Sequence, residues 1–194
     1  IPLLRFGWKS VVTFHDLLFL LFSQRHNVLK RFFYGWMLPT SAKKAQRIIA
    51  VSLSTKKDIM KSLNISSERI EVINLGIDSS YHLIEKEKLK DFRRKERIFG
   101  SFILYVGTLK KRKNVLNIIK AYKKIKEKGR KEKLIIVGNK SGEYQNIYKT
   151  VGELGLKKNI FFTGFEDVVS GRQETSDPSL FIYPSFYEGF GLPI

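Results

Sequence analysis

The sequence predicts an α/β protein built on parallel sheets. Two observations carry that expectation. Short, continuous apolar runs such as "FILYVG" (102–107), "KLIIVG" (133–138) and "NIFFTG" (159–164) read as strands buried on both faces. Segments with apolar residues at helical spacing lie between them, and strand–helix alternation means a parallel sheet with right-handed crossovers. A third number makes a core affordable: 43% of the 194 residues are apolar, so wholesale disorder is excluded.

Taken in order, "SVVTFHD" (10–16) predicts a strand ending in His15-Asp16, and "RIIAVS" (47–52) predicts another. Ser54 is the expected cap of a helix through "TKKDIMKSL", with Ile59, Met60 and Leu63 inward. "IEVINLGID" (70–78) is a third strand leading into a turn. From 79 to 100 the text turns polar and charged, and reads as a helical or irregular connection between two domains, 1–95 and 96–194. After "FILYVG" and "TLKKRKN", Asn114 sits at an N-cap position before Val115, Ile118, Ile119, Tyr122 and Ile125, and Gly129 follows the helix. A second helix pairs Tyr144, Ile147, Tyr148, Val151 and Leu154, closed by Gly155, and "SLFIYPS" (179–185) is a fourth strand. A crossover helix is needed over "VSGRQETSDP" (169–178), yet that stretch has no apolar periodicity and contains Gly171 and Pro178.

Composition narrows the classes of function. Without cysteine there is no disulfide and no cysteine-based zinc site, which fits a reducing compartment. The run Leu17–Phe22 is shorter than the ~20 residues that span a bilayer. The net charge of +18 is spread along the chain, with 19 Lys+Arg against 9 Asp+Glu in residues 1–100 and 17 against 9 in 101–194. That favours anionic partners: phosphorylated small molecules, anionic lipid or nucleic acid. An anionic-membrane-binding module without catalysis is one alternative, and a nucleic-acid-binding module is the alternative from another class. It needs aromatics interleaved with basic residues on one surface, whereas most of the 15 Phe and 8 Tyr are expected in core strands and helices.

In a parallel sheet, ligands bind at the carboxyl ends of the strands. Gly107 leads into "TLKKRKN", Gly138 into "NKSG", and Pro184-Ser185 into "FYEGFG", so these three loops are expected to face one crevice. Lys110, Lys111, Arg112 and Lys113 lie between a buried strand and a helix N-terminus, where unpaired N–H groups and partial positive charge suit a phosphate; the plainer reading is a solvated turn. "EGFG" delivers Glu188, a carboxylate suited to sugar hydroxyls, beside glycines whose backbone can approach a ligand closely; alone it is also an ordinary Gly-rich turn. His15 at a strand end reads equally as a functional group or as a satisfied histidine. His26 and His82 have no suggestive context, and no His/Asp/Glu cluster has metal-ligand spacing.

"YVGTLKKRKN", "LIIVGNKSGEY", "NIFFTGF" and "LFIYPSFYEGFGLPI" resemble, in that order, the segments of family 4 retaining glycosyltransferases, and "VVTFHD", "IIAVSLSTKKDI" and "INLGID" resemble the family's N-terminal and linker segments. The resemblance implies a GT-B architecture, two Rossmann-like domains holding a nucleotide-sugar, with no cofactor and no catalytic metal. It implies that Arg112 and Lys113 hold the donor's diphosphate, that Glu188 is the first glutamate of the E-x7-E motif and contacts the sugar, and that Phe190 and Gly191 lend backbone amides. His15 matches a histidine near the sugar, and Gly107 and Gly138 would line the cleft. The "GTL…RKN" variant is similar to mannosyltransferase-like members, so the implied donor is GDP-mannose and the acceptor a glycan or lipid-linked glycan, handled in the cytoplasm or peripherally at the inner face of a membrane. The motif's second glutamate falls past Ile194 and no glycine-rich N-terminal loop precedes "IPLLRF". The chain is therefore expected to be an internal segment of a longer protein, with both domains incomplete and no transfer activity by itself.

Overall fold

A computed structural model describes residues 9–22, 28–77, 87, 94, 100–139, 142–163 and 178–191. By mutual contact the chain divides into two compact units, residues 1–77 with 187–192, and residues 78–186 with 193–194. Each contains a wholly parallel sheet.

In the first unit β1 (Val11–Phe14), β2 (Arg47–Ala50) and β3 (Ile70–Val72) pair in that order, with Val12 opposite Ile48 and Ile48 opposite Ile70. Helix α3 (Leu53–Leu63) connects β2 to β3. Its cap is Ser52 rather than Ser54: the Ser52 hydroxyl accepts from the Thr55 N–H at 3.0 Å. Thr55, Ile59 and Leu63 are buried, while Met60, expected inward, is 38% exposed. Phe14, Leu17, Ala42, Ile48, Ala50 and Ile70 complete this core.

Between β1 and β2 lie α1 (Leu18–Leu21) and α2 (Val28–Lys44), neither anticipated above. Pro39 sits inside α2, where it donates no backbone hydrogen bond and its ring crowds the carbonyl four residues earlier, at Gly35. The hydroxyls of Thr40 and Ser41 donate to the Trp36 and Met37 carbonyls at 2.7 and 2.8 Å, which adds bonds to the turn around the proline. Among the described residues no helix is long and apolar enough to cross a membrane.

The second unit carries the sheet order β6-β5-β4-β7, from β4 (Phe102–Val106), β5 (Lys133–Val137), β6 (Ile160–Thr163) and β7 (Leu180–Phe181). Helices α4 (Val115–Glu127) and α5 (Tyr144–Glu153) fall where helical spacing puts them, and Gly129 and Gly155 follow them with φ of 80° and 69°. Alternate side chains of β4 and β5 enter two cores. Ile103, Tyr105, Leu134 and Ile136 pack with Ile118, Ile119, Ile147 and Val151 on one face, and Phe102, Leu104, Ile135 and Val137 pack on the other. The strand expected over 179–185 is shorter: after β7 the Ile182 N–H still donates to Leu104, but Pro184 has no N–H to continue the ladder. The stretch 169–177 lies outside the described residues, as do most of 79–99.

Candidate functional site

In the second unit the loops leaving β4, β5 and β7 meet, as their position at the strand ends requires. After Gly107 the chain forms a 3-10 turn over Lys111–Lys113, then passes through Asn114, whose φ of 63° is left-handed, into α4. Asn114 occupies the N-cap position but does not cap with its side chain; its amide donates to the Pro184 carbonyl at 3.1 Å instead. The Arg112 carbonyl accepts from the Phe186 N–H at 2.8 Å and from the Ser185 hydroxyl at 3.1 Å. On the other side Glu143 donates its N–H to the Leu109 carbonyl at 2.9 Å, and its carboxylate lies 4.0 Å from the Lys111 ammonium. The strand-end glycines explain the closeness. A Cβ on Gly138 would stand 2.1 Å from the Gly107 carbonyl oxygen, so the β4 and β5 loops touch through bare backbone.

Two cations project from this loop, one half-buried and one buried. Arg112 is partly exposed. Lys113 is only 7% exposed, and its ammonium donates to the Tyr183 hydroxyl while lying 4.7 Å from the centre of the same ring. Tyr183 stacks in turn on Tyr105 and Phe181, with centroids 6.1 and 6.3 Å away, and Tyr105 donates to the Thr108 carbonyl at 3.1 Å. An aromatic ladder thus supports the floor of the basic loop.

Glu188, Phe190 and Gly191 belong to the first unit, with His15. Gly189 packs so tightly that a Cβ would fall 1.8 Å from the His15 carbonyl oxygen and 3.1 Å from the Asp16 Cβ. The Gly189 carbonyl accepts from both the Ser52 hydroxyl and the Thr55 hydroxyl, the latter at 3.1 Å. Just before it, the Tyr187 hydroxyl donates to Asp58 at 2.8 Å and accepts from the Leu17 N–H at 3.3 Å. Burial first, then the Asp58 carboxylate, pushes the Tyr187 hydroxyl's pKa upward, so it stays a donor. The bare side of Gly189 therefore faces His15, and the turn presents half-buried Glu188 and exposed Phe190 on either side of it. Gly191 has φ of 91°, which a side chain disfavours. His15 itself is exposed.

Sequence reasoning missed Tyr183, Ser52, Thr55 and Tyr187. Tyr183 was hidden inside a strand pattern, and its partner is 70 residues away. The hydroxyl pair had a local signal, since Ser52 and Thr55 are three apart at a helix start. A cavity of about 440 Å³ lined by Gly100, Ser101, Gly129, Arg130, Lys131 and Glu132 lies at the amino ends of β4 and β5, away from these loops. Among the described residues no group of three or more His, Asp or Glu could hold a metal ion.

Comparison with known proteins agrees with this architecture. The family model for glycosyl transferases group 1 matches residues 88–194, and that for glycosyltransferase family 4 matches residues 1–81. The chain is 27% identical over 188 residues to O-antigen chain mannosyltransferase B of Escherichia coli, covering 96% of this chain and 49% of that protein. It is 28% identical over 193 residues to O-antigen chain mannosyltransferase RfbU of Salmonella typhimurium, covering all of this chain and 49% of that protein. The chain thus spans about half the length of these relatives. The structure of Anabaena Alr3699/HepE in complex with UDP and glucose superposes with a TM-score of 0.77 at 18% identity, covering 97% of this chain and 50% of that one. With parallel α/β units of the GT-B kind and a group 1 match across more than half its length, this chain belongs to the group 1 glycosyl transferases.

Proposed function

We propose that the protein containing this chain is a retaining glycosyltransferase that moves a sugar from a nucleoside diphosphate donor to a glycan or lipid-linked acceptor. The observation that carries the reading is the basic loop: Arg112 and Lys113 stand at the carboxyl end of β4, in a loop held in shape by its backbone bonds to 184–186. Charge building on a leaving diphosphate would be stabilised there by cations whose positions are fixed before reaction. Glu188, whose turn is pinned against His15, accepts hydrogen bonds from sugar hydroxyls, and His15 helps position the same sugar. Phe190 and Gly191 lend amides beside it, and Gly107 and Gly138 line the nucleotide side. No metal is part of the scheme, because the two cations do the neutralising.

The mannosyltransferase names of the relatives support mannose as the sugar and GDP-mannose as the donor. The UDP complex of the Anabaena protein supports a nucleoside diphosphate as the ligand class. Their O-antigen names support polysaccharide assembly, and a cytoplasmic protein peripheral at the inner face of a membrane is the location that fits such assembly. The glycosyltransferase relatives do not favour the alternative of a nucleic-acid module.

The test is titration calorimetry with GDP, UDP and ADP in EDTA, followed by transfer assays with the matching nucleotide-sugars. Binding of at least one diphosphate without metal is expected, with GDP tightest. No binding to any of the three refutes the proposal.

A further inference from the structure

In the second unit, α5 and β6 enclose a cavity of about 240 Å³ lined by Tyr144, Tyr148, Val151, Lys157, Ile160 and Phe162. β6 stands at the end of the order β6-β5-β4-β7, and side chains alternate along it, so Ile160 and Phe162 share the face that α5 covers. Three rings meet there. Tyr144 and Tyr148, one turn apart on α5, stack with centroids 5.8 Å apart. Phe162 stands edge-on to Tyr144 at 5.7 Å and tilted to Tyr148 at 6.0 Å. Val151 and Ile160 are buried, and Tyr144 and Phe162 pack on the core, but Tyr148 is 47% exposed. A ring needed only to finish a core would be covered. Lys157 completes the lining, its ammonium 5.9 Å from the centre of the Tyr148 ring. Its stem passes over bare backbone: a Cβ on Gly152 would stand 3.2 Å from the Lys157 Cε and 3.8 Å from its Nζ.

Size and ring geometry choose the occupant. A cavity of about 240 Å³ falls below the ~300–1,000 Å³ that hold drug-sized molecules, so it admits one ring and not a nucleotide. Phe162 meets the two tyrosines at 80° and 55°, which makes a corner rather than a slot. A flat nucleobase is best served by a ring face parallel to its own, so the corner suits it poorly. An aromatic peptide side chain would offer the Lys157 ammonium no acceptor. A pyranose meets all the parts at once. Its C–H groups face the negative faces of the rings, and the hydroxyl oxygens round its rim accept from the ammonium and exchange bonds with the phenols.

We infer that this corner holds one pyranose residue of a neutral glycan, with Tyr148 as the platform and Lys157 donating to a sugar hydroxyl. It shares no residue with the basic loop or with the Glu188 turn, so it is a second hold on the glycan rather than part of the transfer site. The choice of a glycan rests on the proposed function, while the corner itself does not. A hold of this kind keeps a growing chain on the enzyme between transfers.

The probes are mannotetraose, maltotetraose and a short oligothymidylate, read by saturation-transfer NMR and calorimetry. The wild type is compared with Tyr148→Ser, Lys157→Ala, Gly152→Ala, and Lys149→Ala as an exposed control on α5. The wild type is expected to bind at least one of the oligosaccharides, and saturating GDP to leave that binding in place. Tyr148→Ser is expected to weaken it by roughly three- to ten-fold and Lys157→Ala by roughly three-fold or more. Gly152→Ala, which pushes the lysine stem aside, should cost less, and Lys149→Ala nothing. Melting curves confirm folding, and Lys157→Ala keeps the test valid if Tyr148→Ser does not fold. Failure of the wild type to bind either oligosaccharide, unchanged affinity in both Tyr148→Ser and Lys157→Ala, or full displacement by GDP overturns the inference. So does a Tyr148→Ser variant that loses oligothymidylate and keeps the oligosaccharides. GDP affinity is titrated in parallel and is expected to be the same in Tyr148→Ser as in the wild type. No GDP binding at all would refute the diphosphate reading and leave the glycan readout standing, and the reverse holds too.

Discussion

The basic loop of the second unit and the Glu188 turn of the first hold their charged residues by the same device with different parts. In the basic loop, main-chain carbonyls and amides at 109, 112, 184 and 186 bond to neighbouring loops, and a partly buried tyrosine supports Lys113. In the Glu188 turn, two hydroxyls converge on one carbonyl, and the tyrosine before it is tied to Asp58. Each has a glycine with no room for a methyl group, Gly138 against the Gly107 carbonyl and Gly189 against the His15 carbonyl. The difference lies in the charge presented: cations on one side, a carboxylate on the other. Shape is thus set by the backbone, and charge alone distinguishes what each loop can recognise.

That comparison breaks most readily at the cations. Arg112→Ala with Lys113→Ala is expected to weaken diphosphate binding by roughly 1.5–3 kcal/mol per lost charge-assisted bond, while Glu188→Ala changes it little. Lys123→Ala with Lys126→Ala, on the outer side of α4, should also change it little, and calorimetry reads all three. If Glu188→Ala costs as much as the loss of the cations, the proposed assignment of the diphosphate to Arg112 and Lys113 fails.

The glycines come next. Gly138→Ala and Gly189→Ala each force backbone apart, and each is expected to cost about 3 kcal/mol, the upper end of overpacking. Gly35→Ala in α2, with nothing within 4 Å of the added methyl, is expected to be neutral or stabilising by about 0.5–1 kcal/mol. Urea denaturation separates the three. A tolerated Gly138→Ala would mean that the β4 and β5 loops are not in contact.

The tyrosines give a pH test of both units. Burial, and then the charge of Glu132, pushes Tyr122 up to about 12 from 10.0, so the folded protein holds a proton that the unfolded chain releases first. Its contribution to stability is complete below pH 10 and is lost as pH rises from 10 to about 12. Tyr187 is raised also, for the same first cause, so the first unit weakens on the same alkaline side. The urea midpoint is expected to fall across that window, and Tyr122→Phe to start lower but flatten the fall. A midpoint independent of pH from 10 to 12 would contradict this.

The smallest effects sharpen the comparison furthest. Tyr183→Phe keeps the ring under Lys113 and removes the hydroxyl, with an expected cost near 1 kcal/mol in diphosphate binding. In an Arg112/Lys113 alanine background the same change should cost nothing more. Ser52→Ala removes a helix cap and one bond to Gly189, about 1 kcal/mol of stability, and leaves diphosphate affinity unchanged.

How much of this was legible depended on whether a cause lay nearby in sequence. Strands β4, β5 and β6 and helices α4 and α5 were readable because buried runs and helical spacing are local, and the meeting of the loops followed from strand direction. The candidate site residues split along the same line. Arg112, Lys113 and Glu188 could be named from the turns that carry them, whereas Tyr183 acts across 70 residues and left no local mark. Several hydroxyls in "VSLST" could cap α3, and separately the buried line of Thr55, Ile59 and Leu63 leaves Met60, about 100° round from Ile59, exposed. Helix α2 was obscured by Pro39 and by an apolar stripe that faces water, contrary to the rule that periodic apolar residues point to a core.

The three bonds joining residues 112 and 114 to 184–186 also bear on how the molecule comes to exist. Such contacts have high sequence separation, and the chain entropy of closing a loop of that size must be met before they return anything. The β4–β5 pair can form early from neighbours in the chain, but the basic loop acquires its final form only when β7 joins β4. During refolding, the proposed diphosphate binding is then expected to appear last, after helical signal and most strand protection have returned. A ligand-binding signal that lags behind circular dichroism in stopped-flow refolding is the kinetic signature of that order.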